Sequence, residues 1–285
     1  MNFKNILHEI EKNDPEVYEK LSGRRDVLKS FGSKVAVVAL PVVLGSLFKK
    51  AYGKTTDVVV DSLNFMLELE YIEYTFYRTA TNTGGLIPAK DLAGFKTIES
   101  HEKAHIQFFI DTIIAAGGTP FVPKHYSHPT TNAPYVPAAY DFTKGGAYAP
   151  FANYNHFLML AQVFEDTGVR AYNEQSSIFW GSALYTQLQQ ITATEARHAA
   201  HARLIRRNLG AVEVPAPWVT NDIAPITDFL ANYDGEQNTK QLDVEITALK
   251  GHKDDNIPRL SASAAFDEPL NKATVVSLMK PFILP

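Results

Sequence analysis

Leu188-Gln189-Gln190-Ile191-Thr192-Ala193-Thr194-Glu195-Ala196-Arg197-His198-Ala199-Ala200-His201-Ala202 is the stretch on which the fold turns. Counted in steps of three and four, the spacing that keeps residues on one face of a helix, its surroundings read Leu184, Leu188, Ile191, Glu195, His198, Ala202, Ile205. An apolar stripe is broken near its middle by a Glu and, three residues on, by a His. A single Glu-x-x-His pair is common in helices and usually lies on a solvated face. Here the pair lies on the stripe that should face a core.

The same count applied upstream finds three more stripes. One runs Val60, Leu63, Leu67, Glu70, Tyr74, Tyr77; a second Phe95, Ile98, Glu102, His105, Phe109; a third Phe151, Tyr154, Leu158, Ala161, Glu165, Gly168, Tyr172. Each carries one central Glu, and the second repeats the Glu-x-x-His spacing. Burying an isolated carboxylate costs several kcal/mol, and four converging carboxylates would repel or stay protonated. Two divalent cations would neutralise them. The expected metal ligands are therefore Glu70, Glu102, His105, Glu165, Glu195 and His198. One Glu and one Glu-x-x-His set per helix pair is the ligand arrangement of dinuclear carboxylate bundles. Carboxylates and imidazoles without sulfur suit iron or manganese, and geometry does not choose between them.

Punctuation along the chain sets the helix order. Asp57 to Asn82 is closed by Gly84-Gly85, and Pro88 to Ala116 by Gly117-Gly118-Thr119-Pro120. Residues 119–149 are rich in Pro, Gly, Thr, Tyr and His and read as a long connection. A third helix is expected from Pro150 to Gln175 and a fourth from Ser182 to Asn208, stopped by Gly210. The fold class is all-α: a four-helix bundle over residues 54–210 with one long crossover between its second and third helices. Residues 211–285 are expected to wrap the bundle, ending in an amphipathic segment that Asp267 could cap and that Leu270, Val275, Val276 and Leu278 make apolar.

Composition narrows the chemistry. There are no cysteines among the 285 residues, so disulfides, thiolate metal sites and Cys nucleophiles are excluded. The net charge of -4 provides no basic field for nucleic acid. Near the start, Arg24-Arg25 precedes the uncharged run from Val35 to Phe48, fourteen residues long and too short for the ~30 Å hydrocarbon core. The pair and the run resemble a twin-arginine export signal over residues 1–53, with Val27 where such signals often carry Phe. Ala51 and Gly53 suit cleavage after Gly53. An uncleaved helix packed on the domain is the alternative. Export predicts an encounter with the twin-arginine machinery and a periplasmic or envelope location.

The run Ser62-Leu63-Asn64-Phe65-Met66-Leu67-Glu68-Leu69-Glu70-Tyr71-Ile72-Glu73-Tyr74-Thr75-Phe76-Tyr77 resembles the first helix of the ferritin-like family of desiccation-related bacterial proteins. Glu102-Lys103-Ala104-His105 and Glu195-Ala196-Arg197-His198 are similar to its metal motifs, and Ala265-Phe266-Asp267-Glu268-Pro269-Leu270 with Pro281-Phe282 to its C-terminal segment. The resemblance spans residues 57–285 and implies frequent twin-arginine export. Relative to ferritins and bacterioferritins, Glu70 and Tyr77 match the first-helix Glu and the Tyr two turns on. The fourth-helix Glu-x-x-His makes the set more similar to bacterioferritin or rubrerythrin than to eukaryotic ferritin, although rubrerythrin's Cys-rich domain is absent.

Two functions fit this reading. In one, a dinuclear iron or manganese centre reduces O2 or hydrogen peroxide, as a ferroxidase, peroxidase or manganese catalase does. In the other, an envelope protein protects against stress with a structural or sequestered metal and no turnover. A metal-free bundle used only for binding is disfavoured by the buried charges. Tyr77, the candidate catalytic residue, is expected to hydrogen-bond a ligand, to donate an electron, or simply to pack. Glu68, Glu73 and Glu99 sit off the stripes and are expected to be solvated, with Glu99 also a candidate partner of a ligand. His201 is expected at the surface, and His125 and His128 in the crossover have no assigned role. Assembly into a homo-oligomer is left open.

Overall fold

The computed structural model describes residues 56–124, 140–251 and 254–284. Four long helices make up the bundle: α1 Thr56–Asn82, α2 Ala89–Ala115, α3 Tyr154–Ser176 and α4 Ala183–Asn208. Their ends follow local chemistry. Asn153 caps α3 by accepting from the backbone N–H groups of Asn155 and His156, at 2.9 and 3.2 Å. Ser182 does the same for α4 through Tyr185 N. Pro150 and Phe151 therefore lie in a turn before α3, which begins four residues later than the expected start at Pro150. At the other ends, Gly117 and Gly210 adopt φ of 80° and 89°, the left-handed conformation that stops a helix cheaply only at glycine.

Contacts between helices fix their directions. Arg78 pairs with Glu99 at the α1–α2 turn, while Asn64 bonds Thr119 and Phe121 at the opposite end, so α1 and α2 are antiparallel. Gln162 with Arg206 and Asp166 with Arg203 make α3 and α4 antiparallel. Tyr77 with Glu165 and Tyr172 with Glu70 make α1 and α3 antiparallel as well. It follows that α2 and α3 run the same way, and the chain must travel back along the bundle between them. The long crossover is that return path. His125 and His128 on it, like Arg24-Arg25 and the Val35 to Phe48 run, lie outside the described residues. No described helix is long and apolar enough to cross a membrane.

Helix α3 is buried on every side from Phe157 to Tyr172, as expected only of a helix covered by more than its bundle partners. Residues beyond Gly210 supply the cover. They carry a two-stranded antiparallel hairpin, β1 Lys240–Gln241 and β2 Val244–Glu245, and two short helices, α5 Arg259–Ser263 and α6 Lys272–Met279. Arg170, 1% exposed, clamps two segments of them, residues 232–234 and Glu268. Its Nε donates to Glu268 O at 2.6 Å, Nη1 to Asn232 O at 2.5 Å and Nη2 to Asp234 O at 2.6 Å. One and two turns back, Asp166 and Gln162 bond Tyr233, and Phe282 packs edge-on against Phe164 at 5.0 Å. Each fully buried ring of this kind contributes about 1.5–3 kcal/mol. The C-terminal helix starts later than its apolar pattern suggests, because Asn271 rather than Asp267 is its cap, accepting from Thr274 N at 2.9 Å. Leu270 and Val275 are buried, whereas Val276 is exposed.

Candidate metal centre

All six residues named from the helix stripes meet in the middle of the bundle. Glu70, Glu102, Glu165 and Glu195 are each 0% exposed, and His198 is 4% exposed. They fall into two overlapping groups whose ligand atoms lie within 4.8 Å of one another: Glu70, Glu102, His105 and Glu195, and Glu102, Glu165, Glu195 and His198. Around the first, His105 Nδ1 sits 3.2 Å from Glu70 Oε2, 3.2 Å from Glu102 Oε2 and 2.9 Å from Glu195 Oε1. Around the second, His198 Nδ1 sits 2.9 Å from Glu102 Oε1, 3.5 Å from Glu165 Oε2 and 3.2 Å from Glu195 Oε2. Glu102 and Glu195 thus turn one oxygen to each group. Glu70 and Glu165 each belong to one group alone.

Hydrogen bonding does not account for this crowding. One imidazole nitrogen carries at most one hydrogen and cannot serve three oxygens. Glu102 Oε1, Glu165 Oε2 and Glu195 Oε1 are buried without any hydrogen-bond partner, although an imidazole nitrogen lies within 3.5 Å of each. Atoms sharing an octahedral ion at about 2.1 Å lie about 3.0 Å apart along each edge, close to the spacings seen here. The cluster could hold metal ions, and its oxygen and nitrogen donors fit those that take carboxylate and imidazole together.

The electrostatics describe the same frustration without an ion. Burial pushes the Glu70 carboxyl up to about 8, against the pull of His105. Glu165 is driven well above the carboxylate range, by burial first. Burial would pull both imidazoles down, but Glu70 beside His105 and Glu165 beside His198 hold them far above the ordinary value. For Glu195 burial acts upward, yet close contacts to both imidazoles keep it far below the ordinary range. The carboxylates hold positive charge on both imidazoles, as they would hold a cation.

Tyr77, two turns past Glu70, donates to Glu165 Oε1 at 2.5 Å. Tyr172, two turns past Glu165, donates to Glu70 Oε1. The role of Tyr172 went unassigned in the sequence, although its offset from Glu165 equals that of Tyr77 from Glu70. His101 was also missed. Its Nδ1 lies 2.9 Å from His198 Nε2, with the two rings within 16° of parallel, so His101 partners the His198 nitrogen that does not face the carboxylates. Adjacency to Glu102 was the sole clue.

Other expectations are corrected. Glu73 is not solvated: it is 2% exposed and turned towards α3, where a Cβ on Gly168 would stand 3.0 Å from its Oε1. Glu68 is partly buried, and burial raises its carboxyl. Glu99 takes bonds from Arg78 and from Thr81 Oγ1, at 3.0 and 2.6 Å, tying α1 to α2 near their turn. His201 is partly buried, its ring edge-on to Phe95 at 5.1 Å.

On the α2–α4 side a shallow depression lined by Ala104, Phe108, Gln187, Ile191 and Thr194 opens on His105. No curated protein matches the chain. A family model described as a ferritin-like domain matches residues 58–211. That match covers more than half of the chain and takes in all four bundle helices and every residue of the cluster, so the chain belongs to the ferritin-like domain family.

Proposed function

We propose that the bundle holds two iron or manganese ions and reduces O2 or hydrogen peroxide at them. The observation that carries this is the sharing of Glu102 and Glu195 between two ligand groups, with their four carboxylates matched in charge by two divalent cations. Two ions joined by carboxylates can supply two electrons together to one small oxidant. The chain's own residues do the rest. Glu102 and Glu195 would be shared by the two ions, Glu70 with His105 and Glu165 with His198 would complete the two sites, and Tyr77 and Tyr172 hold Glu165 and Glu70 in place. Tyr77 is in addition an oxidisable phenol touching a ligand, placed to give up an electron. The depression beside His105 is the approach for a molecule as small as O2 or peroxide.

Export by the twin-arginine route, supported by Arg24-Arg25 and the Val35 to Phe48 run, places this chemistry outside the cytoplasm. The resemblance to desiccation-related proteins supports a role in oxidative stress. The test is anaerobic loading with Fe(II) or Mn(II), followed by addition of O2 or peroxide at an electrode. Uptake of two ions per chain and stoichiometric or catalytic consumption of one oxidant is the expected result. Two ions bound without any consumption would favour a structural or sequestered metal instead.

A further inference from the structure

The two helix pairs repeat each other: Glu70 and Tyr77 on α1 match Glu165 and Tyr172 on α3, and the two Glu-x-x-His pairs match on α2 and α4. The repeat breaks one turn past the terminal carboxylates, where α1 has Glu73 and α3 has Gly168. Glu73 is 2% exposed, and its Oε2 is buried with no hydrogen-bond partner. Burial, and then the charges of Glu165, Glu195, Glu70 and Glu102 in that order, push its carboxyl far above the ordinary range. The geometry agrees: Glu73 Oε1 lies against Gly168, three residues past Glu165 on α3, so the side chain points across to the Glu165 side of the bundle. Gly168 makes this placement feasible, since a Cβ there would stand 3.0 Å from Glu73 Oε1. Glycine on α3 opens the room that the extra carboxylate on α1 occupies.

Packing does not explain a carboxylate here. Leu or Gln would fill similar space without adding a fifth negative group to four others. A cation is what the arrangement lacks. We infer that Glu73 is a seventh ligand of the metal centre, serving the ion held by Glu165 and His198. The inference rests on the dimetal reading above. Glu73 lies outside both four-residue groups, so a rotation of its side chain would be needed to bring the unpartnered Oε2 to the ion.

The test uses the full chain titrated with Co(II), read by visible absorption and by competition with a chelator. The parent should take up two Co(II). Glu73→Gln, close in shape, should still bind both, with the weaker ion held about tenfold less tightly and with an altered cobalt spectrum. Gly168→Ala keeps every carboxylate but crowds Glu73, and should change the spectrum and that affinity in the same direction. It also serves if Glu73→Gln fails to fold, which thermal melts of the metal-free proteins would reveal. Parent-like affinity and spectrum in the folded variants would make Glu73 a neutral spacer and overturn the inference, with the dimetal centre intact. A parent that takes up no Co(II) would overturn the dimetal reading and this inference together.

Discussion

Tyr77 Oη lies 2.5 Å from Glu165 Oε1, joining α1 to α3 through a hydrogen bond with no exposed atom at either residue. Tyr172 and Glu70 form the reciprocal bond, so each helix carries one terminal carboxylate and the phenol that orients the other. The phenol occupies one oxygen, and the second is left to face the imidazole of its own group. An ionised carboxylate with two free oxygens could rotate away from an ion. One that is bonded at Oε1 presents Oε2.

Tyr77→Phe should therefore weaken the ion on the Glu165 side, and Tyr172→Phe the ion on the Glu70 side. Loss of a partner that orients a metal ligand typically costs ~10–100-fold in affinity. Competition titration resolves the two binding steps. Phenylalanine keeps the ring packing, including the stack of Tyr77 on Phe95, so parent-like affinity in both variants would reduce the phenols to core filler.

The ligand groups overlap unequally, and metal content should show it. Glu70→Ala cuts one group and leaves Glu102, Glu165, Glu195 and His198 whole, so about one ion per chain should remain. Glu102→Ala cuts both groups and should leave almost none. Elemental analysis after gel filtration checks this. Equal losses from the two variants would contradict the bridging role of Glu102.

The stripes made the four helices and the six residues of the cluster legible because period 3.6 reports which face is buried. Glu73, three residues past Glu70, shares the buried face, and a stripe that steps by four to Tyr74 passes over it; the limit of the signal itself lies on the other faces of α1. Residues 69–77 of α1 are buried without a break, covered by Phe142 and Phe151 of the crossover at Phe76 and by Phe121 at Tyr71. Periodicity sees one packed face and is blind to a second supplied by irregular chain. The same blindness hid Asp166 and Arg170, whose stripe on α3 points away from the metal cluster into the C-terminal residues. The late start of α3 has a different cause. Pro150 can begin a helix, but the Asn153 side chain takes the N–H groups of Asn155 and His156 that a helix from Pro150 would give to the carbonyls of Phe151 and Ala152.

That second face should have its own pH signature. Glu236, 1% exposed, contacts Arg170 Nε at 2.8 Å and leaves Oε2 without a partner. Burial pushes its carboxyl up to about 8, outweighing the pull of Arg170. With the folded value above the unfolded one, its contribution to stability is full below about 4.5 and is lost as pH rises through about 8. The loss is at most about 1.4 kcal/mol per pH unit. Glu236→Gln removes the titration, so the melting-temperature difference between parent and variant should shift towards the variant from pH 5 to pH 9. A constant difference would show that Arg170 keeps Glu236 ionised throughout.

Stability separates a buried metal centre from a set of incidental carboxylates most sharply. Glu102→Ala or Glu195→Ala should release metal and leave three carboxylates facing one another in an apolar setting with two imidazoles. Removing one partner from a buried charge cluster typically costs ~3–5 kcal/mol, and loss of a ligand that binds only the folded state adds to it. Changing Glu70, Glu102, Glu165 and Glu195 together to Leu or Gln should act in the opposite sense. It removes the mutual repulsion along with the metal, and the four sites are fully enclosed, so apolar side chains of similar volume meet no water there. The quadruple variant should then match or exceed the loaded parent in melting temperature and ignore chelator, whereas the parent melts lower when chelator is added. Solvated carboxylates would instead give shifts below ~0.5 kcal/mol for each change. Single variants that melt like the parent, with no chelator effect on either, would remove the metal centre from this fold.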